Sequence, residues 1–190
     1  MERDLTHIAL FAALVAILGL VPQITLAGGV PITAQSLGIM LCGTVLGARR
    51  GALAVLLFLA LVAAGLPLLS GGRGGIGAFA GPSVGYLVGF PVAAFVAGWI
   101  MQRTTLPAGL AAGAASVIGG IAVLYLFGIP GMAVVLDKSL PEAAMLGMAF
   151  LPGDVLKAVL AGFVTQGIAR MRPGSLLSRP EPGISPEIFR

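Results

Sequence analysis

Asp154 and Lys157 stand one helical turn apart in "LPGDVLKAVLAG", Leu151 to Gly162, a stretch otherwise almost free of polar groups. At 100° per residue both lie on one helix face with Ala161. An ionisable group at the centre of a bilayer costs about 2.5–3.5 kcal/mol on insertion scales, and less near its edge. Two chemistries can repay that cost. One is local: Pro152 starts a helix, Asp154 favours its positive end, and Lys157 neutralises Asp154 and snorkels outward. The other is a pocket floor, on which the carboxylate accepts ligand N–H groups and the ammonium donates to a ligand carbonyl or carboxylate. The residues alone leave both open.

A second cation sits in "GGRGGIG", Gly71 to Gly77. Its formal G-x-G-x-x-G match lies between apolar segments with no strand before it, so it is not a dinucleotide fingerprint. Glycines let backbone approach a ligand closely, and Arg73 offers a bidentate donor to a carboxylate. A flexible connector with a solvated arginine accounts for it equally well. Tyr86 and Phe90, at i and i+4, wall a ligand pocket or anchor the helix at the membrane interface. Ala9 with Ala13, and Ala12 with Ala16, form smooth stripes that admit another helix, from this chain or from a partner.

Other chemistries find no support. Neither lysine follows a glycine, so there is no Walker-type phosphate loop. No acidic residue falls between Asp4 and Asp137, which leaves no carboxylate ladder for an ion pump. The lone His7 has no Cys or His partner at metal spacing, and it lies at the wrong edge of the membrane to serve a nucleophile. Cys42 is read as a small packing residue. An enzyme is not expected.

These residues must be carried by membrane helices. The 190 residues are 58% hydrophobic and 9% charged, with mean hydropathy +1.06; about 25% charged residues are usual in a soluble domain. The pI near 10.0 reflects basic residues in short loops, not a nucleic-acid partner. Apolar segments are expected at Thr6–Ile24, Gly51–Leu69, Val84–Met101, Leu106–Phe127 and Pro152–Ala169, with a shorter piece in "QSLGIMLCGTVLGARR". The fold class is thus an all-α integral membrane protein with six transmembrane helices. Its first segment is expected to be retained, because "MERDLTH" lacks a basic n-region. The segments alternate across the membrane with Arg3, Arg49, Arg50, Arg103, Arg170, Arg172, Arg179 and Arg190 on one side and only Arg73 and Lys138 on the other. The positive-inside rule then puts both termini in the cytoplasm. The outer loops are expected at Thr25–Gln35, Pro67–Pro82 and Gly128–Leu151, which sets Asp154 and Lys157 at the outer start of the last helix. Residues 1–172 form the transmembrane domain; 173–190, with four prolines, are expected to be a disordered cytoplasmic tail.

Taken together, "VPITAQSLGIMLCGTVLGARRGALAVLLFLALVAAGLPL", "GGRGGIGAFAGPSVGYLVGF" and "LPGDVLKAVLAG" resemble the BioY family, the biotin-specific S components of energy-coupling-factor (ECF) vitamin transporters. The resemblance runs from about residue 6 to 170. It rests on the order of P-I-T-x-Q, L-x-G-x-x-L-G-x-x-x-G, G-P-T-G-G-Y and P-x-D-x-x-K; here "GLPLL" and "GPSVGY" depart from the usual G-L-P-V-F and G-P-T-G-G-Y. It implies a six-helix S-component fold with an outward-facing pocket. Biotin would be the transported ligand, with no cofactor. Asp154 and Lys157 would take the polar head and Tyr86 or Phe90 the apolar rings, a glycine-rich lid with Arg73 could meet the carboxylate, which cation meets which end stays open, and Gln35, the glutamine of "PITAQ", joins the binding set. An empty pocket should stay wet or keep Asp154 and Lys157 paired. The implied partners are a transmembrane coupling protein, met by Ala9 and Ala13, and two cytoplasmic ATPases; a homo-oligomer is left open. The implied location is the prokaryotic cell membrane, crossed several times. Rival readings are an S component for another vitamin and a structural membrane subunit without a ligand.

Overall fold

The computed structural model describes residues 2–25 and 31–179. Helix α1 (Glu2–Leu18) begins and ends earlier than the apolar pattern predicts. The chain turns at Gly19, where a Cβ would lie 2.5 Å from the Leu68 carbonyl oxygen. Beyond Pro22, the β-branched pair Ile24–Thr25 (β1) runs antiparallel to Pro31–Ile32 (β2). Among the described residues, this two-residue ladder is a small addition to an otherwise helical fold.

Helix α2 (Gln35–Leu46) is the short apolar piece. Its 12 residues reach about 18 Å, too little for a hydrocarbon core of about 30 Å. All but Leu37 are buried, so protein and not lipid surrounds it. Helix α3 (Ala48–Ala63) starts before the predicted Gly51 and stops well before Leu69, because Gly65 takes a positive φ of 106° and Pro67 follows. A loop with one 3-10 turn, Ile76–Ala80, leads to α4 (Val84–Arg103).

Beyond α4 the predicted end of the next helix at Phe127 fails, while the last helix runs close to its predicted bounds. Helix α5 (Ala108–Val117), a π-helical turn (Ile118–Val123) and α6 (Leu124–Val135) form one rod that passes Phe127. The expected outer loop at Gly128–Leu151 is therefore mostly helix. Pro130 sits inside α6 and removes one helix hydrogen bond, a loss that neighbouring groups make good in membrane helices. Helix α7 (Leu140–Met148) follows, then α8 (Leu151–Met171), bent 54° from it. Among the described residues, α4 and the α5–α6 rod are long and apolar enough to cross a membrane, and α7 with α8 makes a third crossing if the bent pair is one span.

Close approach fixes the packing, since lipid supplies no hydrophobic drive between helices. Gly85 of α4 meets Gly131 of α6, where a Cβ on Gly131 would come within 2.6 Å of the Gly85 Cα. Gly85 and Gly89, four residues apart, thus share one small-residue face against α6. The alanine stripes divide: Ala12 is buried inside the bundle, whereas Ala9 and Ala13 are exposed.

One end of the molecule is arginine-rich. Arg50 at the start of α3 pairs with Asp4 of α1 at 2.6 Å. Arg103 lies 4.6 Å over the half-exposed Trp99 ring, and Arg170 and Arg172 close α8. Residues 173–179 cross this end and do not trail away as the predicted tail. Ser178 donates its N–H to the Val45 carbonyl and its hydroxyl to the Thr44 carbonyl. Arg179 donates to the carbonyls of Met101, Thr104 and Leu106. The physical reason is that carbonyls in a last helical turn, such as those of Thr44, Val45 and Met101, and in the loop after α4, such as those of Thr104 and Leu106, lack an intrahelical partner and need donors. The remainder of the predicted tail, 180–190, lies outside the described residues, as do 26–30 of the first predicted outer loop.

Candidate functional site

At the opposite end, the starts of α2, α4 and α8 converge with the loop before α4. Pro152 lies in the first turn of α8, so Asp154 is also in the first turn and Lys157 in the next. Asp154 is only 5% exposed. Its Oδ1 accepts from Lys157 Nζ at 2.9 Å and Ser36 Oγ at 3.2 Å, and its Oδ2 accepts from the Tyr125 hydroxyl at 2.9 Å. Lys157 Nζ also donates to Ser36 Oγ at 2.9 Å. Helix-end electrostatics and snorkelling explain a charged pair at a wet surface. They do not explain a carboxylate withdrawn from solvent and held by three donors from three other positions. A buried ion needs such partners to offset several kcal/mol of desolvation.

The π-turn contributes directly to this arrangement. Its extra residue rotates the helix face that follows by about 100° relative to an unbroken α-helix. Leu124 and Tyr125, just past that turn, are the α6 residues that face the site.

Above the network is a cavity of about 60 Å³. Asp154, Lys157 and Ser36 line it with Tyr86, Phe90, Leu87, Leu124, Phe150, Gln35 and Arg73. Tyr86 and Phe90 are buried at 7% and 8% exposure, so they wall the cavity and are not interfacial anchors. The Tyr86 ring meets Tyr125 and Phe150 edge-on, with centroids 6.2 and 6.3 Å away. Its hydroxyl is buried with no hydrogen-bond partner among the described residues. Such an orphan costs about 1–3 kcal/mol, so a ligand atom that bonds it gains on both counts.

Arg73 is placed by its loop. Leu69 and Arg73 pair backbone to backbone at 3.0 and 3.2 Å. Gly71 and Gly72 between them take φ of 78° and 70°, which glycine adopts without a Cβ penalty. The guanidinium then donates to the Ser70 carbonyl at 3.2 Å and to Ser83 Oγ at 3.3 Å. It is an oriented, part-buried cation, not a solvated connector residue. Gln35 secures the same loop. Its Nε2 donates to the carbonyls of Val15 and Leu68, and its Oε1 accepts the Ser70 N–H. Both amide donors are thereby engaged with backbone.

All six candidate ligand-site residues from the sequence line this one cavity. Ala9 and Ala13 do not; they lie on the outer surface of α1. A family model described as the BioY family matches residues 2–174. The chain belongs to the BioY family. The biotin transporter BioY of Rhodobacter capsulatus is 52% identical over 189 residues, covering 94% of this chain and all of that protein. The biotin transporter BioY of Rhizobium etli is 51% identical, covering 87% of this chain and 92% of its own length. A crystal structure of the S-component for biotin from an ECF-type ABC transporter superposes with a TM-score of 0.84 at 30% identity, covering 90% of this chain and 92% of that one. The all-helical S-component fold of this family is thus the fold of the chain.

Sequence reasoning did not single out Tyr125, Ser36 or Phe150. Tyr125 carried a usable signal: a phenol in the middle of a long apolar rod needs a hydrogen-bond partner when buried. Ser36, next to Gln35 at a helix start, reads as an ordinary early-turn residue, and its contact with α8 is purely tertiary.

Proposed function

We propose that this chain is the biotin-capturing S component of an ECF-type transporter, a transporter subunit and not an enzyme. The observation that carries the reading is the buried Asp154–Lys157–Ser36–Tyr125 network, set beneath aromatic walls and below an oriented Arg73. Biotin presents the same order of chemistry. Its ureido ring has two N–H donors and a carbonyl, its middle is an apolar thioether ring, and its valerate ends in a carboxylate. Asp154 accepts ureido N–H groups and Lys157 turns to the ureido carbonyl, while Tyr86 and Phe90 flank the rings. Arg73 meets the carboxylate. Gln35 acts by holding the Arg73 loop. A cavity of about 60 Å³ has room for a few waters only, so biotin binds by displacing them and widening the gap between the loop and α8. Until then the ion pair is closed, which keeps neither charge buried alone.

The chain crosses the cell membrane six times in this reading: α1, the short α2 completed by the loop that dips inward ahead of it, α3, α4, the α5–α6 rod, and α7 with α8. The arginine-rich end is cytoplasmic by the positive-inside rule, so the cavity opens outward. The exposed Ala9–Ala13 stripe meets the coupling protein, and two cytoplasmic ATPases supply the energy that a chain without a phosphate loop cannot.

Calorimetry of the purified protein with biotin, biotinamide, thiamine and riboflavin tests this. Biotin is expected to bind, and biotinamide, which lacks the carboxylate that Arg73 takes, to bind more weakly. Binding of another vitamin in place of biotin, or of none, would reject the assignment.

A further inference from the structure

A second and larger cavity has no part in the network above. It is an open groove of about 430 Å³ along the outside of α5 and α8. Leu110, Gly113 and Ala114 of α5 line it with Val159, Phe163 and Arg170 of α8. Its rims are apolar and exposed: Leu110 67%, Phe163 73% and Val159 47%. At Gly113 a Cβ would meet nothing nearer than the Ala158 carbonyl oxygen at 4.0 Å, so the floor is open there. Gln166 Oε1 accepts the Gly109 N–H at 2.7 Å and ties the two helices together near the arginine-rich end.

Length and charge say what fits. From Val159 to Arg170 is about 16 Å along the helix, half of a hydrocarbon core of about 30 Å. The groove therefore runs through one leaflet, with its cation at the interfacial end. Arg170 is exposed, and it has no ion pair or side-chain hydrogen bond among the described residues. A partner helix that crosses the bilayer needs a seam twice as long. A second copy related by a two-fold axis along the membrane normal would bring its own Arg170 to the same depth, and the two like charges would repel in a low dielectric. Charge complementarity favours an anion with an apolar tail. We propose that the groove docks one anionic phospholipid of the leaflet at the arginine-rich end, its acyl chain between α5 and α8 and its phosphate on Arg170.

Native mass spectrometry of the detergent-purified chain tests this, with equimolar dioleoyl-phosphatidylglycerol and dioleoyl-phosphatidylcholine added. Wild type is expected to retain one phosphatidylglycerol in preference to phosphatidylcholine. Arg170→Gln, at an exposed position that does not threaten folding, should lower that preference about fivefold, the factor for one basic residue at an anionic surface. Gly113→Leu fills the floor and should lose the bound lipid of either kind, with elution volume and melting temperature showing that it still folds. Equal retention of both lipids by wild type, or an unchanged preference in Arg170→Gln, overturns the proposal whether or not Gly113→Leu folds. A wild-type dimer that Gly113→Leu converts to monomer also overturns it and assigns the groove to a second copy.

Discussion

Replacing Asp154 by Asn keeps the side-chain shape and removes one charge from the buried network. The carboxylate accepts three hydrogen bonds, from Lys157, Ser36 and Tyr125. An amide has one acceptor oxygen and one donor nitrogen. With the oxygen toward Lys157, the nitrogen faces the Tyr125 hydroxyl, which can rotate and accept. The main loss is then the ionic partner of a lysine whose side chain is only 13% exposed. Breaking a buried pair costs about 3–5 kcal/mol; partial access of Lys157 to the cavity reduces this to about 2–4 kcal/mol, or roughly 4–15 °C in Tm. Binding suffers separately. Losing one charge-assisted hydrogen bond to a ureido N–H costs about 1.5–3 kcal/mol, roughly 10–150-fold in Kd. The double variant Asp154→Asn with Lys157→Met has no stranded charge. It is expected to recover most of the stability and none of the affinity. Thermal unfolding and calorimetry with biotin read the two effects apart. An Asp154→Asn Kd within about twofold of wild type would refute the argument that this carboxylate accepts from the ligand, and recovery of affinity in the double variant would show that only stability had been lost.

Two further outcomes follow from the outer surface and the arginine-rich end. Ala13 is exposed on α1, so Ala13→Trp should spare biotin binding but lower co-purification with the coupling protein, read by pull-down from membranes; unchanged recovery would remove this stripe from the interface. Arg179→Ala deletes donors to three carbonyls. Discounted for partial exposure, the loss is about 1–3 kcal/mol, roughly 2–10 °C in Tm, with Kd for biotin unchanged. A melting temperature equal to wild type would mean that the segment does not clamp the bundle.

The candidate site was legible wherever residue type conflicted with its surroundings. Asp154, Lys157 and Arg73 stand out as charges in or beside apolar segments, and Tyr86 and Phe90 as aromatics one turn apart. Their burial was not legible. A tyrosine near a helix end suits an interfacial anchor and a pocket wall equally, and the choice depends on α6 and Phe150 standing against its ring. Helix ends were mistaken where apolar composition continued past a break, as at Gly19 and Gly65, or where a break was expected and did not occur, as at Gly128 and Pro130. Hydropathy records lipid compatibility, which helix, irregular turn and protein-covered loop can share.

By itself the sequence determined that the chain is apolar enough for a membrane, that most of its basic residues flank its apolar segments, and that it carries no Walker-type phosphate loop. Those properties follow from composition and order. The order of its motifs points to the family. Only the tertiary structure decided that Asp154, Lys157, Ser36 and Tyr125 form one network, because they lie on three helices and meet across as many as 121 residues of chain. It also decided that Gln35 holds a loop, that residues 173–179 are tied to the arginine-rich end, and that a groove runs outside α5 and α8. Each depends on how closely helices approach and on which face a π-turn presents, and neither is written in local hydropathy or spacing.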